Sequence, residues 1–479
     1  MSELPTNWQM ADGDDLFASV RGVTYSKADA VSTPSDGLVP ILRANNIADG
    51  RIVVDDLVYV PGKYVSPEQY LRAGDLLIAT SSGSRTVVGK AAAASDEHIR
   101  YAFGAFCTVA RPRVQGFGDW LSRFARTRAY RDYVEQVALG ISINNLRGSD
   151  LKSMPILLAP LPEQRRIVAK IDSLTGKSRR AREHLDHIPR LVEKYKQAVL
   201  AAAFRGDLTR EWSEESRPAY DDHGIDGRLT NLSILPAGWS WTSMGAVVQI
   251  TGGLTKNSAR NALPLRVPYL RVANVYANEL RLDEITEIGC TEAEYRRTLL
   301  QPGDLLIVEG NGSLDQIGRV AMWDGEHPGC AHQNHLIRAR MGDNLMPSYT
   351  LYWLLSPQGR NAIETVASSS SGLHTLSISK VRGLPVPICS KEQQKAVVQR
   401  IQSAFIWIDR LASETTSARR LIGQLDQAVL AKAFRGELVP QDPKDEPTSM
   451  LLDRIKAERG ELSNSSGRSK RQTIIGRTV

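Results

Sequence analysis

Few residues of this 479-residue chain are arranged for chemistry. The densest set is Cys330-x-His332-x-x-His335, where soft and imidazole ligands lie as close together as zinc requires. The segment runs straight into the strand-like LIRAR, and alternation along a strand would turn His332 and His335 to opposite faces. A polar strand end is therefore expected, not a metal centre. Gly83-S-R-T-V-V-Gly89-Lys90-Ala91 has five residues between its glycines and no Ser or Thr after the lysine. It lacks both the phosphate cradle and the magnesium-binding hydroxyl of a P-loop. Asp304 and Glu309 are close enough for a metal nuclease, but Gly310 and Asn311 follow, and no lysine is there to position a water. The Asn/Asp-Pro-Pro-aromatic motif of a methyltransferase is missing because the chain has no Pro-Pro pair. Ser368–Ser371 lacks the glycines of a nucleophile elbow and reads as loop.

What remains is a pair of polar loops in two equivalent places. Arg43, Asn45 and Asn46 follow one apolar run, and Arg271 and Asn274 follow its counterpart. Ser81, Ser82, Ser84 and Arg85 follow a GDLL motif, as Asn311, Gly312 and Ser313 do in the second half. Arginine suits guanine edges and asparagine adenine edges in the major groove, while serine and backbone amides suit phosphates. Most surface loops carry such residues for no reason, so no single one identifies a base reader.

The elements that position these loops occur twice. Leu161–Leu208 returns as Lys391–Leu438, 230 positions later without a gap, and the copies close on AVLAAAFRGDL and AVLAKAFRGEL. Ile167, Ile171, Leu174, Ser178, Ala181, Leu185, Ile188, Val192, Tyr195, Val199 and Ala202 step by four and three, which is a heptad seam. Val397, Ile401, Ala404, Ile408, Leu411, Thr415, Ala418, Ile422, Leu425 and Val429 keep the same register. The matched seams predict that the two helices pair, leaving charges such as Arg166, Arg182 and Lys196 outside. Upstream of each helix, Leu4-Pro5-x-x-Trp8 is answered by Leu235-Pro236-x-x-Trp239, and Val39–Ile47 by Val267–Val275. Arg111 and Arg113 correspond roughly to Arg338 and Arg340, and Gly140–Ile156 to Gly372–Ile388. Short apolar runs punctuated by Gly and Pro predict mixed α/β units, with helices over Asp119–Val137 and Ser348–Val366.

Length implies two or three domains, and the 42% hydrophobic and 24% charged fractions are those of an ordinary globular protein. No apolar run is long enough to span a bilayer, the N-terminal residues form no signal-like apolar stretch, and the four cysteines show no C-x-x-C pair. A reducing, cytoplasmic setting is expected. The net charge of +7 permits a polyanionic partner without requiring one.

The duplicated order, LPEQRRIVAKI at Leu161–Ile171, the FRG[DE]L helix endings and the paired GDLLI motifs resemble the specificity subunit of type I restriction-modification systems. The resemblance implies two target-recognition domains separated by two long antiparallel coiled-coil helices, with an internal pseudo-two-fold repeat. The expected parts are recognition domains at 1–160 and 235–389, helices at 161–208 and 390–438, a linker at 209–234 and a tail at 439–479, with a short helix at Thr448–Arg459. Each domain would read one half of a bipartite, asymmetric double-stranded DNA target. The helices would set the spacer and dock two methylation subunits, with Arg205 and Arg435 at the contact. Catalysis would lie elsewhere, in methylation subunits using S-adenosylmethionine and in two restriction subunits using ATP and magnesium. SKEQQKAVVQRI at Ser390–Ile401 lacks the Leu-Pro that opens the first helix, which leaves the start of the second open. A coiled-coil scaffold for protein partners and a modification-only assembly are the alternative readings.

Overall fold

The computed structural model describes residues 4–138, 144–209, 211, 224–230, 232–370 and 373–457. They form two compact units, 1–185 with 417–479 and 186–416. Each unit therefore takes one half of each long helix, whereas the sequence parse set the helices apart from the recognition domains.

The first unit is built on an antiparallel sheet of β1 (Phe17–Arg21), β2 (Leu76–Ala79), β3 (Ala91–Ala93) and β4 (Cys107–Pro112), in the order β1-β4-β2-β3. The second repeats it with β5 (Val248–Gly252), β6 (Leu305–Val308), β7 (Val320–Met322) and β8 (Leu336–Met341), in the order β5-β8-β6-β7. The GDLL runs form the central strands β2 and β6, buried along their whole length, which explains four consecutive apolar residues where alternation would mark a half-exposed strand.

The carboxylate of each GDLL motif is buried too. Asp75 receives Arg111 through Nε (2.9 Å) and Nη2 (2.7 Å), and Asp304 receives Arg340 through Nε (2.7 Å) and Nη2 (2.6 Å). Arg111 thus matches Arg340, which corrects the rough alignment of Arg111 and Arg113 with Arg338 and Arg340. Asp304, half of the nuclease-like pair, is committed to this internal ion pair.

Each expected helix between sheet and coiled coil is two helices. Phe117–Phe124 stops before Arg128–Val137, where Thr127 Oγ1 accepts from Tyr130 N–H at 3.2 Å. Pro347–Leu355 stops before Pro357–Val366, where Ser356 Oγ accepts from Gly359 N–H at 3.1 Å. A capping hydroxyl, helped in the second case by a proline lacking its own N–H, restarts the helix.

The first long helix is α1 (Leu161–Asp186) and α2 (Ile188–Phe204), and the second is one continuous α3 (Lys391–Ala433). Pro189 accounts for the break after Asp186, since it cannot donate to a carbonyl one turn back; the equivalent residue in α3 is Arg419. In the first unit Ile167 and Ile171 share a core with Val429, Leu430 and Ala433, and in the second Leu200, Ala203 and Phe204 share one with Val397, Val398 and Ile401. Both pairings are antiparallel. The seam departs from its heptad at Leu411, which is 41% exposed, and at one place repeated in both helices. Tyr195 and Leu425 are 63% and 57% exposed, and the next residue turns inward instead. Lys196 Nζ lies 2.6 Å from Asp409 Oδ1, and Arg182 Nη2 lies 2.6 Å from Asp426 Oδ2. Arg182 and Lys196 are thus interhelical partners, not solvated charges.

Two flanking segments are structured parts of their units. Residues 224–230 lie against the second unit, with Asp226 N–H donating to Gly383 O and Arg228 Nη1 to Val366 O. After α3, helix 448–457 buries Leu451, Leu452 and Ile455 in the first unit's core. Thr448 Oγ1 donates to Asn7 O at 2.6 Å, and Arg166, expected outside, pairs with Asp445 at 2.6 Å.

Candidate nucleic-acid interface

The Arg/Asn loops are built identically in both units. Arg43 N–H donates to Asn46 Oδ1 at 2.9 Å, and Asn46 Nδ2 donates to Val53 O (2.9 Å) and Asp55 O (2.7 Å). Arg271 N–H donates to Asn274 Oδ1 at 2.8 Å, and Asn274 Nδ2 to Arg281 O (2.8 Å) and Glu284 O (3.1 Å). Asn46 and Asn274 are 1% and 3% exposed. This corrects their reading as DNA contacts, because both carboxamides are buried and spent on folding the loop.

Arg43 and Asn45 remain accessible. Arg43 Nη2 pairs with Asp56 Oδ2 at 2.9 Å, and Asn45 Nδ2 donates to the same oxygen at 2.9 Å. Arg271 reaches Glu284 O at 3.4 Å. Each arginine is thus steadied near the surface by a weak, exposed acidic neighbour.

The loops after β2 and β6 open with short strands. Ser81–Ser82 pairs with Asn144–Asn145, and Gly310–Asn311 with Leu373–Thr375. Ser81 Oγ donates to Asn145 Oδ1 at 3.1 Å, and Ser82 is half-buried. Ser84 and Arg85 are exposed beyond them, as Gly312 and Ser313 are beyond half-buried Asn311 in the second unit. Ser313 Oγ donates to Asp315. The ladders bring in two residues that the sequence analysis missed: Asn145 opposite Ser81, and His374 opposite Asn311. Their signal was the correspondence of Gly140–Ile156 with Gly372–Ile388. Residues 140–143 and 372 of those segments lie outside the described residues.

The zinc-like set comes apart, but through a turn and not by alternation along one strand: His332 ends the short strand Ala331–His332, and His335 lies in the turn before β8. His332 is fully buried with Nδ1 3.0 Å from Thr298 O, and burial pushes its pKa down to about 4. His335 is exposed and pairs with Glu309, while burial pushes the Cys330 thiol up to about 12. No group of three metal-ligating side chains is present among the described residues.

The FRG endings are C-caps. Gly206 and Gly436 take φ of +79° and +74°, as a residue past a helix end does when it turns left-handed. Asp207 N–H donates to Ala202 O, and Gly206 N–H to Ala203 O; Glu437 and Gly436 do the same to Lys432 and Ala433. These are the two bonds of a Schellman motif. Arg205 pairs with Asp207 at 2.8 Å and Arg435 with Glu437 at 2.9 Å, both guanidiniums remaining about half exposed. Phe204 packs edge-on against Tyr349 and Trp353, and Phe434 packs tilted against Trp120 with ring centroids 4.5 Å apart.

Comparison with known proteins agrees with this duplicated architecture. No family model matches the chain. It is 32% identical to the Type I restriction enzyme EcoKI specificity subunit of Escherichia coli (strain K12), over 95% of this chain and 96% of that one. It is 31% identical to the StySPI specificity subunit of Salmonella potsdam over the same shares. A solved structure concerning assembly and conformational transition of the type I R-M system shares its fold, with a TM-score of 0.65, 21% identity and coverage of 91% of this chain and 100% of that one. The HsdS subunit of Thermoanaerobacter tengcongensis gives a TM-score of 0.51 at 21% identity, over 91% of this chain and 98% of that one. With identity above 30% along almost the full length of both chains, this chain belongs to the specificity subunits of type I restriction enzymes.

Proposed function

We propose that each unit reads one half of a bipartite, asymmetric DNA sequence, and that the long helices dock two methylation subunits and set the spacer between the half-sites. The observation that carries this reading is one scaffold used twice with different surface residues. The Arg43–Asn46 and Arg271–Asn274 turns have the same hydrogen bonds, yet Asn45 is replaced by Ala273, Ser82 by Asn311 and Arg85 by Leu314. Equal frames with unequal exposed donors suit two readers of different half-sites. The candidate contacts are Arg43, Asn45, Ser81, Ser82, Ser84 and Arg85 in one unit, and Arg271, Asn311, Gly312 and Ser313 in the other.

The chain contributes recognition and assembly. S-adenosylmethionine chemistry belongs to the methylation subunits, and ATP and magnesium to the two restriction subunits of the full complex. Competition gel shifts on the assembled complex test the reading. Arg43→Ala or Arg271→Ala should each cost roughly 1–3 kcal/mol on one half-site if the side chain reads a base. Equal binding of target and scrambled duplex by the intact complex would contradict it.

A further inference from the structure

The second unit carries an arginine–tyrosine–arginine stack that the first lacks. Tyr276 belongs to the hairpin of Val275–Tyr276 and Glu279–Leu280, whose turn residue Asn278 takes a left-handed φ of 57°. Asn278 N–H donates to Val320 O at 2.9 Å, fixing the hairpin beside the edge strand β7. The Arg281 guanidinium lies 3.9 Å from the Tyr276 ring centroid, and that of Arg319, just before β7, lies 5.1 Å from it. Buried Asn274 holds the Arg281 carbonyl, so the corrected residue acts here as a positioning residue.

The two cations differ in what they have left to give. Arg281 Nε donates to Glu279 Oε1 at 2.9 Å. Arg319 is half-buried and stacks on the ring; its Nε is itself buried without a hydrogen-bond partner among the described residues, so any contact outward falls to its terminal nitrogens. Stacking removes rotational freedom from a guanidinium and leaves its outer donors aimed. In the first unit the same backbone bond, Ala79 N–H to Lys90 O where the second has Val308 N–H to Arg319 O, places exposed Lys90 at this position. Ala48 and Val53 stand where Tyr276 and Arg281 do, so neither ring nor second cation is available there.

We infer that Arg319, held on Tyr276 with Arg281 on the ring as well, is a phosphate anchor for the DNA backbone of the half-site read by the second unit. Base edges lie several ångströms down a groove and need protruding side chains, whereas phosphates line its rim. A half-buried guanidinium at the root of the 310–318 loop fits the rim, leaving the exposed loop to the bases. The inference rests on the DNA reading proposed above.

The test uses the chain assembled with its methylation subunits, a labelled duplex carrying the motif that methylome sequencing finds in the host, and a scrambled duplex. Arg319→Ala should weaken both duplexes by the same factor, on the order of tenfold. The slope of log K against log salt should become shallower by about 0.9, one phosphate's worth of released counterion. Arg319→Lys should keep the wild-type slope with reduced affinity, and it decides the matter should the alanine variant fail to assemble. Tyr276→Leu should lose affinity for both duplexes alike. Unchanged affinity and slope, or a loss confined to one base pair, would overturn the anchor. A wild-type complex that ignores its own motif would overturn the DNA reading instead.

Discussion

Pro5 lies against the α-carbon of Gly436, so closely that a Cβ built on the glycine would sit 2.4 Å from Pro5 Cγ. Pro236 and Gly206 repeat the relationship at the same 2.4 Å. The Leu-Pro-x-x-Trp and FRG motifs, far apart in sequence within the first unit, are two sides of one contact. Gly436→Ala and Gly206→Ala should each destabilise their unit by about 2 kcal/mol or more, combining left-handed strain with the clash. Pro5→Ala in the Gly436→Ala background should return part of that loss, and urea unfolding measures the coupling. Strictly additive losses would mean the proline contact carries none of the effect.

The exposed arginines of the same motif separate docking from capping. Reversing Arg205 and Arg435 together to Glu should weaken assembly with methylation subunits while leaving the melting temperature nearly unchanged, since exposed ion pairs contribute little to stability. Sedimentation that still gave a complex of two methylation subunits per chain would remove both arginines from the interface.

His332 predicts a pH dependence for the second unit. Its pKa is near 4 when folded against about 6.5 when unfolded, so between these values the unfolded chain binds a proton that the native state refuses. The stabilisation is fully present above about pH 6.5 and is lost as pH falls toward 4, up to about 3 kcal/mol. Calorimetry from pH 7 to 5 should show the second unit's transition falling, and His332→Gln should flatten that fall. A variant as acid-sensitive as wild type would place the effect on other groups.

Helix 448–457 is structural. A chain ending at Pro447 loses helix 448–457 and re-exposes the sites of Leu451, Leu452 and Ile455, which should cost the first unit on the order of 5 kcal/mol as an upper figure. Thermal melting of full-length and shortened chains checks this, and an unchanged melting temperature would contradict the packing.

Features that rest on periodicity or repetition were legible in the sequence. The doubled order, the helix pairing and the GDLL strands all follow from spacing, whereas a turn, not the expected alternation, parts His332 from His335. Tertiary context decided what spacing could not. Asn46 and Asn274 look like surface readers because burial of a carboxamide leaves no local trace. Lys196 and Asp426 turn toward the facing helix and form ion pairs beside the exposed seam residues Tyr195 and Leu425. The Tyr276 stack brings together a hairpin and a strand some forty residues apart, a juxtaposition that no pattern in either segment announces.

The central claim is that one chain carries two independent readers. Methylome sequencing of cells in which residues 1–160 are exchanged for those of another family member tests it most directly. The account predicts that one half of the methylated motif changes while the other half is retained unaltered. A motif altered in both halves, or in neither, would contradict it.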